Sequence, residues 1–346
     1  MKTYFSTFIS GTQEIVKVFL EKRKIKITLL LDGLVVYESN YQERDVRNFQ
    51  IFNNTFILIR SFDGLEPSIK SIEKILTNIT NNKNTQYQIV TNLPVRRRNF
   101  KIVSSLENQT VAVNRELLKK IETIILRVKG MRLNINKPDL EIWTLLRREG
   151  YGFFGIRITY PDWSDVHRER GELRKEIAYI LCLLSMPAPK DVVLDPFAGS
   201  GAIPMERAVS YPYKDIFAVE KDLNLVSQLK QRINISRRKM SVLHSDALTL
   251  REIKDKSIDK IITDPPWGDY QKIQDIEGFY EKMLTEFNRI LKPNGIIVLL
   301  ISAKEMFENI LKNQFDQIFK IRKKYDVLVS GKKVAIYQII KTNDKR

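Results

Sequence analysis

The sequence predicts an α/β protein in which an α+β region precedes a mostly parallel, doubly wound sheet. From Glu172 onward, apolar strand patterns alternate with helical patterns, which is typical of βαβ units and a parallel sheet. Upstream of that point, short strands and helices are predicted in mixed order, without the regular alternation. The chain closes with two strand-like runs around Ser330-Gly331, which favours a hairpin with one antiparallel strand. The predicted sheet then has about seven strands, an ordinary size for this class of fold.

The N-terminal region is predicted to contain two small α+β segments. In the first, strand patterns flank the turn signal Asp32-Gly33, and amphipathic helices are predicted at GTQEIVKVFLEKR and SIKSIEKILTNIT. The polar, Asn-rich residues 80–86 are predicted to form a loop. The second segment combines a strand at RRRNFKIVSSL, a helix at NRELLKKIETIILRV and two strands joined through Gly150.

In the C-terminal half, the helix ELRKEIAYILCLLS precedes the strand DVVLDPF, the turn AGSG and the helix AIPMERAVS. The strands DIFAVE, MSVLH, KIITD and GIIVLLIS follow, with helices between them. The single cysteine, Cys182, lies in the first of these helices and is predicted to be a core residue. With one cysteine and no Cys/His cluster, neither an internal disulfide nor a metal site is expected.

The charge of the chain is strongly positive and unevenly distributed. The net charge is +17, and residues 1–160 hold 26 basic against 15 acidic residues, compared with 32 against 26 in the remainder. Such a concentration indicates a region that binds a polyanion, and we favour nucleic acid. A Lys-rich solubilising surface is the alternative. No apolar run approaches the ~18 residues of a membrane span, and the N-terminus lacks signal-peptide features, so a cytoplasmic protein is expected.

Three acidic residues follow successive strands of the predicted parallel sheet. Asp195 ends the strand before the glycine turn, Glu220 ends the next strand, and Asp246 follows the third. Gly199 and Gly201 permit a tight turn with close backbone approach to a ligand. A carboxylate with no Lys after the glycines excludes a phosphate-binding P-loop and suits an ammonium group. Together the acids indicate an adenosine-like ligand that carries an amino acid moiety; individually, each could be structural.

Residues 172–341 resemble the class I S-adenosylmethionine-dependent methyltransferases, which implies a Rossmann-like domain with an antiparallel final strand. DPFAGSG is similar to the cofactor loop of that family, AVEKD to its ribose-binding acid and SDA to its adenine-binding turn. The resemblance implies S-adenosyl-L-methionine as cofactor, bound by Asp195, Pro196, Phe197, Gly199, Ser200, Gly201, Glu220, Lys221, Asp246 and Ala247. The tetrapeptide DPPW resembles the catalytic signature of enzymes that methylate an exocyclic amino group of a base.

That signature, Asp264-Pro265-Pro266-Trp267, has a chemical rationale. The lone pair of an exocyclic amine is delocalised into the ring, so the nitrogen is a poor nucleophile. Acceptors at the Asp264 side chain and the Pro265 carbonyl draw the nitrogen towards tetrahedral geometry. The prolines stiffen the loop, and Trp267 can stack on an extruded base. In the alternative interpretation, Asp-Pro-Pro merely terminates a strand and Trp267 is a core residue. Tyr270 and Tyr280 could line the pocket or simply pack.

Residues 1–158 resemble the N-terminal part of the THUMP-containing RNA modification enzymes. NKPDLEIWTLLRREGYGFFGIRIT is similar to the THUMP signature, and FISGTQEIVKVFL to the ferredoxin-like unit that precedes it. The resemblance implies four segments: a ferredoxin-like domain (1–82), a THUMP domain (83–158), a linker (159–171) and the catalytic domain (172–346). In that family THUMP grips the 3′ acceptor end of tRNA, and the 4-thiouridine branch would need a pyrophosphatase loop that this chain lacks.

The two resemblances together imply a tRNA guanine-N2 methyltransferase with no obligate protein partner. Candidate RNA contacts are the basic residues Arg96, Arg97, Arg98, Lys101, Arg132, Lys137, Arg147 and Arg148. Many relatives carry Asn where this chain has Asp264, and Asp also occurs in adenine-N6 DNA methyltransferases. An rRNA guanine-N2 enzyme, an adenine-N6 enzyme and a non-catalytic RNA-binding protein that retains the fold are therefore the alternatives.

Overall fold

The computed structural model describes residues 1–94, 96–159, 172–236, 238–267, 273–329 and 331–342. The chain divides into two compact units, one of Met1–Phe8 with Gln13–His167 and one of Ile9–Thr12 with Arg168–Arg346. Most of the predicted linker, Tyr270 and the turn residue Ser330 lie outside the described residues. No helix in the described part of the chain has the length and apolar character needed to cross a bilayer.

The first unit is built on one nine-stranded sheet in the order β2-β3-β1-β4-β9-β8-β5-β6, with β7 beside β5. Its described strands are β1 (Lys2–Thr7), β2 (Lys26–Leu31), β3 (Leu34–Ser39), β4 (Asn54–Phe62), β5 (Asn99–Leu106), β6 (Gln109–Thr110), β7 (Arg132–Leu133), β8 (Leu140–Leu146) and β9 (Gly152–Arg157). Its described helices are α1 (Gln13–Glu21), α2 (Glu43–Arg47), α3 (Ile69–Asn81), α4 (Lys83–Asn92) and α5 (Arg115–Leu126).

The prediction of a loop at residues 80–86 is wrong. Helix α3 continues to Asn81, and α4 begins at Lys83. Asn82 stands between them with an extended backbone, and its side chain accepts a hydrogen bond from the Thr85 N–H (2.9 Å). Asn is among the best N-cap residues, so the polarity that resembles a loop in sequence here starts a new helix.

The predicted boundary near residue 82 falls within this sheet. Strand β4, from the predicted ferredoxin-like domain, pairs with β9, from the predicted THUMP domain, over Phe56–Phe62 and Gly152–Arg157. Backbone hydrogen bonds therefore connect the two predicted segments. Their division into a ferredoxin-like and a THUMP domain remains a prediction.

The second unit contains a seven-stranded sheet in the order β12-β11-β10-β13-β14-β16-β15. Its strands are β10 (Val192–Asp195), β11 (Asp215–Glu220), β12 (Ser241–His244), β13 (Ile258–Thr263), β14 (Leu291–Ile301), β15 (Phe319–Val329) and β16 (Lys332–Lys341). Its described helices are α6 (Lys175–Leu184), α7 (Ala202–Ser210), α8 (Leu223–Ser236), α9 (Ile276–Ile290) and α10 (Lys304–Gln314). Only β16 runs against the other described strands, which confirms the predicted parallel sheet and its antiparallel final hairpin.

The core of this sheet lies along its central strands. Ile261, Ile262, Val298 and Leu299 are completely buried, and each such side chain contributes about 1.5–3 kcal/mol by leaving water. Cys182 in α6 is also buried, as predicted. The chain order reverses between β10 and β13, so a crevice is expected at their carboxyl ends, where open α/β sheets bind ligands.

Candidate active site

Asp195 lies at the carboxyl end of β10, where this crevice is expected. It is 2% exposed, and its Oδ1 accepts hydrogen bonds from the Thr263 hydroxyl (2.8 Å) and the Phe197 N–H (3.2 Å). Its Oδ2 is buried and has no hydrogen-bond partner among the described residues. Burial raises the pKa of Asp195 to about 7, against the opposing effect of the Thr263 and Phe197 hydrogen bonds. A buried acceptor without a partner is suited to an incoming ligand donor.

The turn after Asp195 presents backbone rather than side chains to the crevice. Gly199 has φ +52°, and no described atom lies within 4 Å of the position that a Cβ would take there. Gly201 has φ +91°, and a Cβ there would come within 2.3 Å of Leu229 Cδ1. The first glycine thus leaves open space for a ligand, whereas the second permits α7 to pack against α8.

The second acid, Glu220, ties the glycine turn to the end of β11. Its Oε2 accepts from the Gly199 N–H (2.9 Å), and its Oε1 accepts from the Lys221 and Asp222 N–H groups (2.8 and 2.9 Å). A carboxylate has about four acceptor positions, so these three bonds leave room for a ligand hydroxyl. Glu220 therefore holds the turn in place and keeps the capacity to bind a ribose.

The other predicted cofactor residues differ in exposure. Asp246 is exposed, and its Oδ1 accepts from the Leu248 N–H (2.9 Å), which leaves its second oxygen at the rim. Pro196 and Ala247 are buried, Lys221 is exposed, and Phe197 packs on Phe279 with ring centroids 5.6 Å apart. These residues shape the walls of the crevice more than they offer polar groups to it.

A cluster that the sequence did not reveal fixes the outer side of the glycine turn. The Ser200 hydroxyl donates to Glu172 Oε1 (3.0 Å), and Arg232 Nη1 donates to the Ser200 carbonyl (2.7 Å) and to the same Glu172 oxygen (3.2 Å). Arg232 lies on α8 and Glu172 just before α6, far from the motif in sequence. No spacing rule connects them, so only the fold brings them together.

Asp264 follows β13, the strand beside β10, and therefore lies on the same edge as Asp195. Its Oδ1 is buried without a hydrogen-bond partner among the described residues. Burial raises the pKa of Asp264 to about 7; the Trp267 side chain lowers it and the charge of Asp195 raises it further. Two neighbouring strand ends thus each hold a carboxylate that is poised between its neutral and charged forms near pH 7.

The loop after Asp264 is anchored on both sides. The Trp267 indole N–H donates to the Leu300 carbonyl at the end of β14 (3.2 Å), and the buried Tyr280 hydroxyl donates to the Pro266 carbonyl (3.5 Å). Pro265 is buried, whereas Trp267 is only partly buried. The indole is therefore held by its N–H edge. Tyr280 acts as a loop anchor, a role that its sequence position alone did not reveal.

Thr263 is a residue of the candidate site that the sequence could have revealed. It is completely buried as the last residue of β13, and its hydroxyl is the donor that holds Asp195. A hydroxyl at the last position of the strand beside β10 can reach the acid at the end of β10, and the Thr263–Asp195 bond is of this kind. The pattern Thr-Asp-Pro-Pro thus supplies both the hydroxyl that holds Asp195 and the second acid of the candidate site.

The predicted RNA contacts separate into two groups at opposite ends of the first unit's sheet. Arg96, Arg98, Arg132 and Lys137 lie near the starts of the parallel strands β5, β7 and β8, where Asn99 pairs with Arg132. Arg147 and Arg148 follow the other end of β8, seven residues or roughly 20 Å away. Arg96, Arg132 and Lys137 are exposed, whereas Arg98 is half-buried and donates to the Lys129 carbonyl (3.0 Å). We call Arg96, Arg98, Arg132 and Lys137 the basic end.

Besides Arg98, three more of the predicted RNA contacts bind other parts of the protein. Arg97 donates to the Ile158 carbonyl (2.8 Å), and Lys101 forms an ion pair with the buried Glu141 (2.9 Å). Arg147 is 9% exposed and donates to the Asp32 carbonyl (2.7 Å) and to Asn108 Oδ1 (2.9 Å). Burial of Arg147 does not support its prediction as an RNA contact, because these bonds would have to break.

Replacing Arg147 is expected to destabilise the protein rather than to weaken RNA binding. Arg147→Met leaves the Asp32 carbonyl and Asn108 without their charged donor, and it should lower the free energy of unfolding by about 2–3 kcal/mol. Arg148→Met, next to it and exposed, should change that free energy by less than about 0.5 kcal/mol. Urea unfolding of both variants measures the difference, and equal stabilities would contradict the structural role of Arg147.

Comparisons with known proteins show that methyltransferases are similar to this chain in sequence. Residues 163–334 match the family model of UPF0020, described as RMKL-like, methyltransferase domain. The chain is 27% identical over 240 residues to the U6 snRNA (guanine-N(2))-methyltransferase THUMPD2 of Bos taurus, an alignment that covers 67% of this chain and 45% of the relative. It is 28% identical over 185 residues to the tRNA (guanine(6)-N(2))-methyltransferase THUMP3 of the same species, an alignment that covers 49% of this chain and 36% of the relative.

The match among solved structures extends over the whole chain. The crystal structure of TrmN from Thermus thermophilus superposes with a TM-score of 0.78 at 18% identity, covering 99% of this chain and 100% of that one. This similarity shows the fold, which is that of a class I methyltransferase preceded by an α+β region. The chain spans less than half the length of the two curated relatives from Bos taurus.

Proposed function

Because its second unit belongs to the UPF0020 methyltransferase family, we propose that this chain methylates the exocyclic N2 amine of a guanosine in tRNA, with S-adenosyl-L-methionine as donor. One observation carries the proposal. Two buried carboxylate oxygens without partners among the described residues, Asp195 Oδ2 and Asp264 Oδ1, lie at the ends of adjacent strands. Asp195 Oδ2 is suited to a cationic cofactor and Asp264 Oδ1 to the amino group of a base. The methyl donor and the methyl acceptor would therefore lie side by side at one edge of the sheet.

The donor set of the crevice fits the proposed cofactor. Asp195 offers an acceptor to the ammonium group, the open space at Gly199 admits the chain of the methionine moiety, and Glu220 can accept from ribose hydroxyls. Asp246 at the rim can accept from an adenine amino group. When bound, S-adenosyl-L-methionine supplies an electrophilic methyl group on a sulfonium. Solved structures of this fold include SMU.472, described as a putative methyltransferase complexed with S-adenosylhomocysteine (SAH).

Residues of the chain then orient and activate the base. Asp264 accepts a hydrogen bond from one N–H of the amino group and the Pro265 carbonyl accepts one from the other N–H, and these two bonds draw the nitrogen lone pair out of the ring. The Trp267 ring, held by Leu300, supports the base by stacking. Tyr280 keeps the Pro266 carbonyl, and with it the loop, in a fixed position. Most of the acceleration derives from alignment of the two partners and from preorganised acceptors.

A tRNA substrate is supported by the first unit. Its basic end places exposed cations at one edge of the sheet, where they can bind phosphates without reading sequence. The THUMP-containing relatives act on tRNA or on U6 snRNA according to their names. We assign residues 83–158 to a THUMP domain as part of this proposal, and a cytoplasmic location for the protein.

The proposal is tested by methyl transfer in vitro. The full chain is incubated with labelled S-adenosyl-L-methionine and unmodified tRNA, and the RNA is digested to nucleosides for mass spectrometry. N2-methylguanosine is the expected product, and Asp264→Ala is the control for contaminating activity. An N6-methyladenosine product would establish the adenine alternative instead, while tight cofactor and RNA binding without transfer would favour a non-catalytic role.

The basic end is expected to supply much of the RNA affinity. Replacing Arg96, Arg132 and Lys137 together by Gln removes three exposed cations, so the slope of log K against log salt concentration should fall by about 2. Filter binding of tRNA between low and physiological salt measures this slope. A matched variant with Lys17, Lys22 and Lys24 replaced by Gln loses the same charge from the region of α1. Equal slopes in the two variants would place the RNA surface elsewhere.

A further inference from the structure

The candidate active site is acidic, although the proposed substrate is a polyanion. Asp195, Glu220, Asp246 and Asp264 all lie at the carboxyl edge of the parallel strands. An extruded nucleotide brings its phosphates towards this edge, and like charges in a crevice repel strongly. A cation at the rim would offset this repulsion and fix the position of the RNA backbone.

The antiparallel strand β16 carries a lysine to this rim. Because β16 runs opposite to β14, it begins where β14 ends: Ile301, the last residue of β14, pairs with Ala335. Lys332 is the first residue of β16 and is half-buried. Its Nζ lies 5.9 Å from the centroid of the Trp267 ring, within the range of a cation–π interaction. The hairpin thus delivers an ammonium group directly to the ring on which we place the base.

We propose that Lys332 is a substrate-positioning residue whose ammonium group binds a phosphate next to the nucleotide that stacks on Trp267. The inference rests on the proposed function, because it requires an extruded nucleotide. The indole supports the base while the ammonium group holds the backbone of the same nucleotide. With both contacts made, the amino group is fixed against Asp264, so Lys332 acts on the position of the substrate and not on the reacting atoms.

The chemistry of the side chain favours phosphate over a base edge. A lysine ammonium is a compact point charge that binds phosphate well, whereas base edges are read by planar, bidentate groups such as Arg, Asn and Gln. Lys333 is exposed and follows Lys332 in the same strand, so its side chain points to the other face of the sheet.

The adjacent lysines provide a matched pair of variants. Lys332→Met and Lys333→Met in the full chain remove the same charge one residue apart, and Lys332→Arg restores the cation. We expect Lys332→Met to lower kcat/KM for tRNA about tenfold, with an unchanged KM for S-adenosyl-L-methionine. Lys333→Met should remain within about twofold of wild type. Filter binding of tRNA in the presence of S-adenosylhomocysteine should show a salt slope reduced by about 0.7–0.9 for Lys332→Met and less for Lys333→Met.

Both readouts can overturn the inference, and they separate it from the proposed function. Identical salt slopes and kcat/KM values for the two methionine variants would remove Lys332 from the substrate contact. A raised KM for the methyl donor in Lys332→Met would indicate a structural role and would equally contradict the inference. If wild type binds tRNA but transfers no methyl group, the proposed function fails, and the salt slopes alone decide on Lys332. A wild type that binds no RNA would overturn both.

Discussion

Asp264→Ala is expected to lower kcat by about 1,000-fold while leaving cofactor and tRNA binding close to wild type. The hydrogen bond that Asp264 accepts becomes stronger as the amine nitrogen becomes tetrahedral. Loss of one such preorganised partner lowers kcat about 100- to 1,000-fold. Asp264 Oδ1 is buried without a partner among the described residues, so none of these residues provides a substitute acceptor contact. Rapid-quench measurement of a single turnover, with calorimetry for the cofactor, tests this. An Ala variant with wild-type turnover would remove Asp264 from the mechanism.

Asp264→Asn is the informative companion to that variant. The amide retains an acceptor oxygen but does not titrate, so activity should survive at a reduced level. In wild type, burial raises the pKa values of Asp195 and Asp264 to about 7, and full activity is expected only when both are charged. Log kcat/KM for the methyl donor should therefore rise with a slope near 2 as pH increases below about 6 and level off above about 8. In Asp264→Asn the slope should fall to about 1, because one titrating group is gone.

The second large effect is expected at Asp195, where Asp195→Asn should weaken binding of S-adenosyl-L-methionine about 100-fold. The substitution preserves shape and the acceptor for Thr263, but it removes the charge that faces the ammonium group. Charge-assisted hydrogen bonds contribute about 1.5–3 kcal/mol, which corresponds to roughly 10- to 150-fold in affinity. Calorimetric titration at pH 8 measures it. A dissociation constant within threefold of wild type would place the ammonium group elsewhere.

The free energy of unfolding provides the control for Asp195→Asn. We expect the substitution to raise it, whereas a substitution that disrupts the fold would lower it. The pKa of Asp195 is higher in the folded protein than in the unfolded chain, so the unliganded protein loses stability as pH rises from about 4 to about 7. Removing the charge should make the variant more stable than wild type by about 2 kcal/mol at pH 5 and by up to about 4 kcal/mol at pH 8. Thermal unfolding at the two pH values then separates lost binding from lost folding.

The elements of the second unit were predictable because its strands are continuous apolar runs. Consecutive apolar residues point to opposite faces of a strand, so both faces of such a strand must be covered, as in a parallel sheet. The buried pairs Ile261-Ile262 and Val298-Leu299 are examples. The acids of the site were predictable for a related reason. A carboxylate immediately after such a run must lie at the carboxyl edge, so Asp195, Glu220 and Asp264 are located by the strands that precede them.

What the sequence did not predict depends on contacts between distant segments. Arg232 and Glu172 meet Ser200 only after α8 and α6 pack beside the glycine turn. Arginine is a residue type expected at the surface, yet the guanidinium of Arg147 is buried and donates to the Asp32 carbonyl and to Asn108. Asn82 shows the same limit at short range, because an N-cap and a loop residue are indistinguishable until the next turn of backbone is known. The local sequence pattern thus predicts the secondary-structure elements, whereas the contact partners of a side chain depend on how those elements are arranged in the fold.

The pairing of β4 with β9 has a consequence for how this region could be divided. A fragment that stopped near residue 82 would leave the nine-residue β4 as a bare margin, with unpaired N–H and C=O groups beside the apolar Phe56 and Ile57. An exposed edge strand of this kind can pair with a strand of another chain, and such pairing leads to aggregation. The smallest excisable piece of the N-terminal region therefore extends through Arg157, and a recombinant or evolutionary cut that respects the sheet has to keep both halves together.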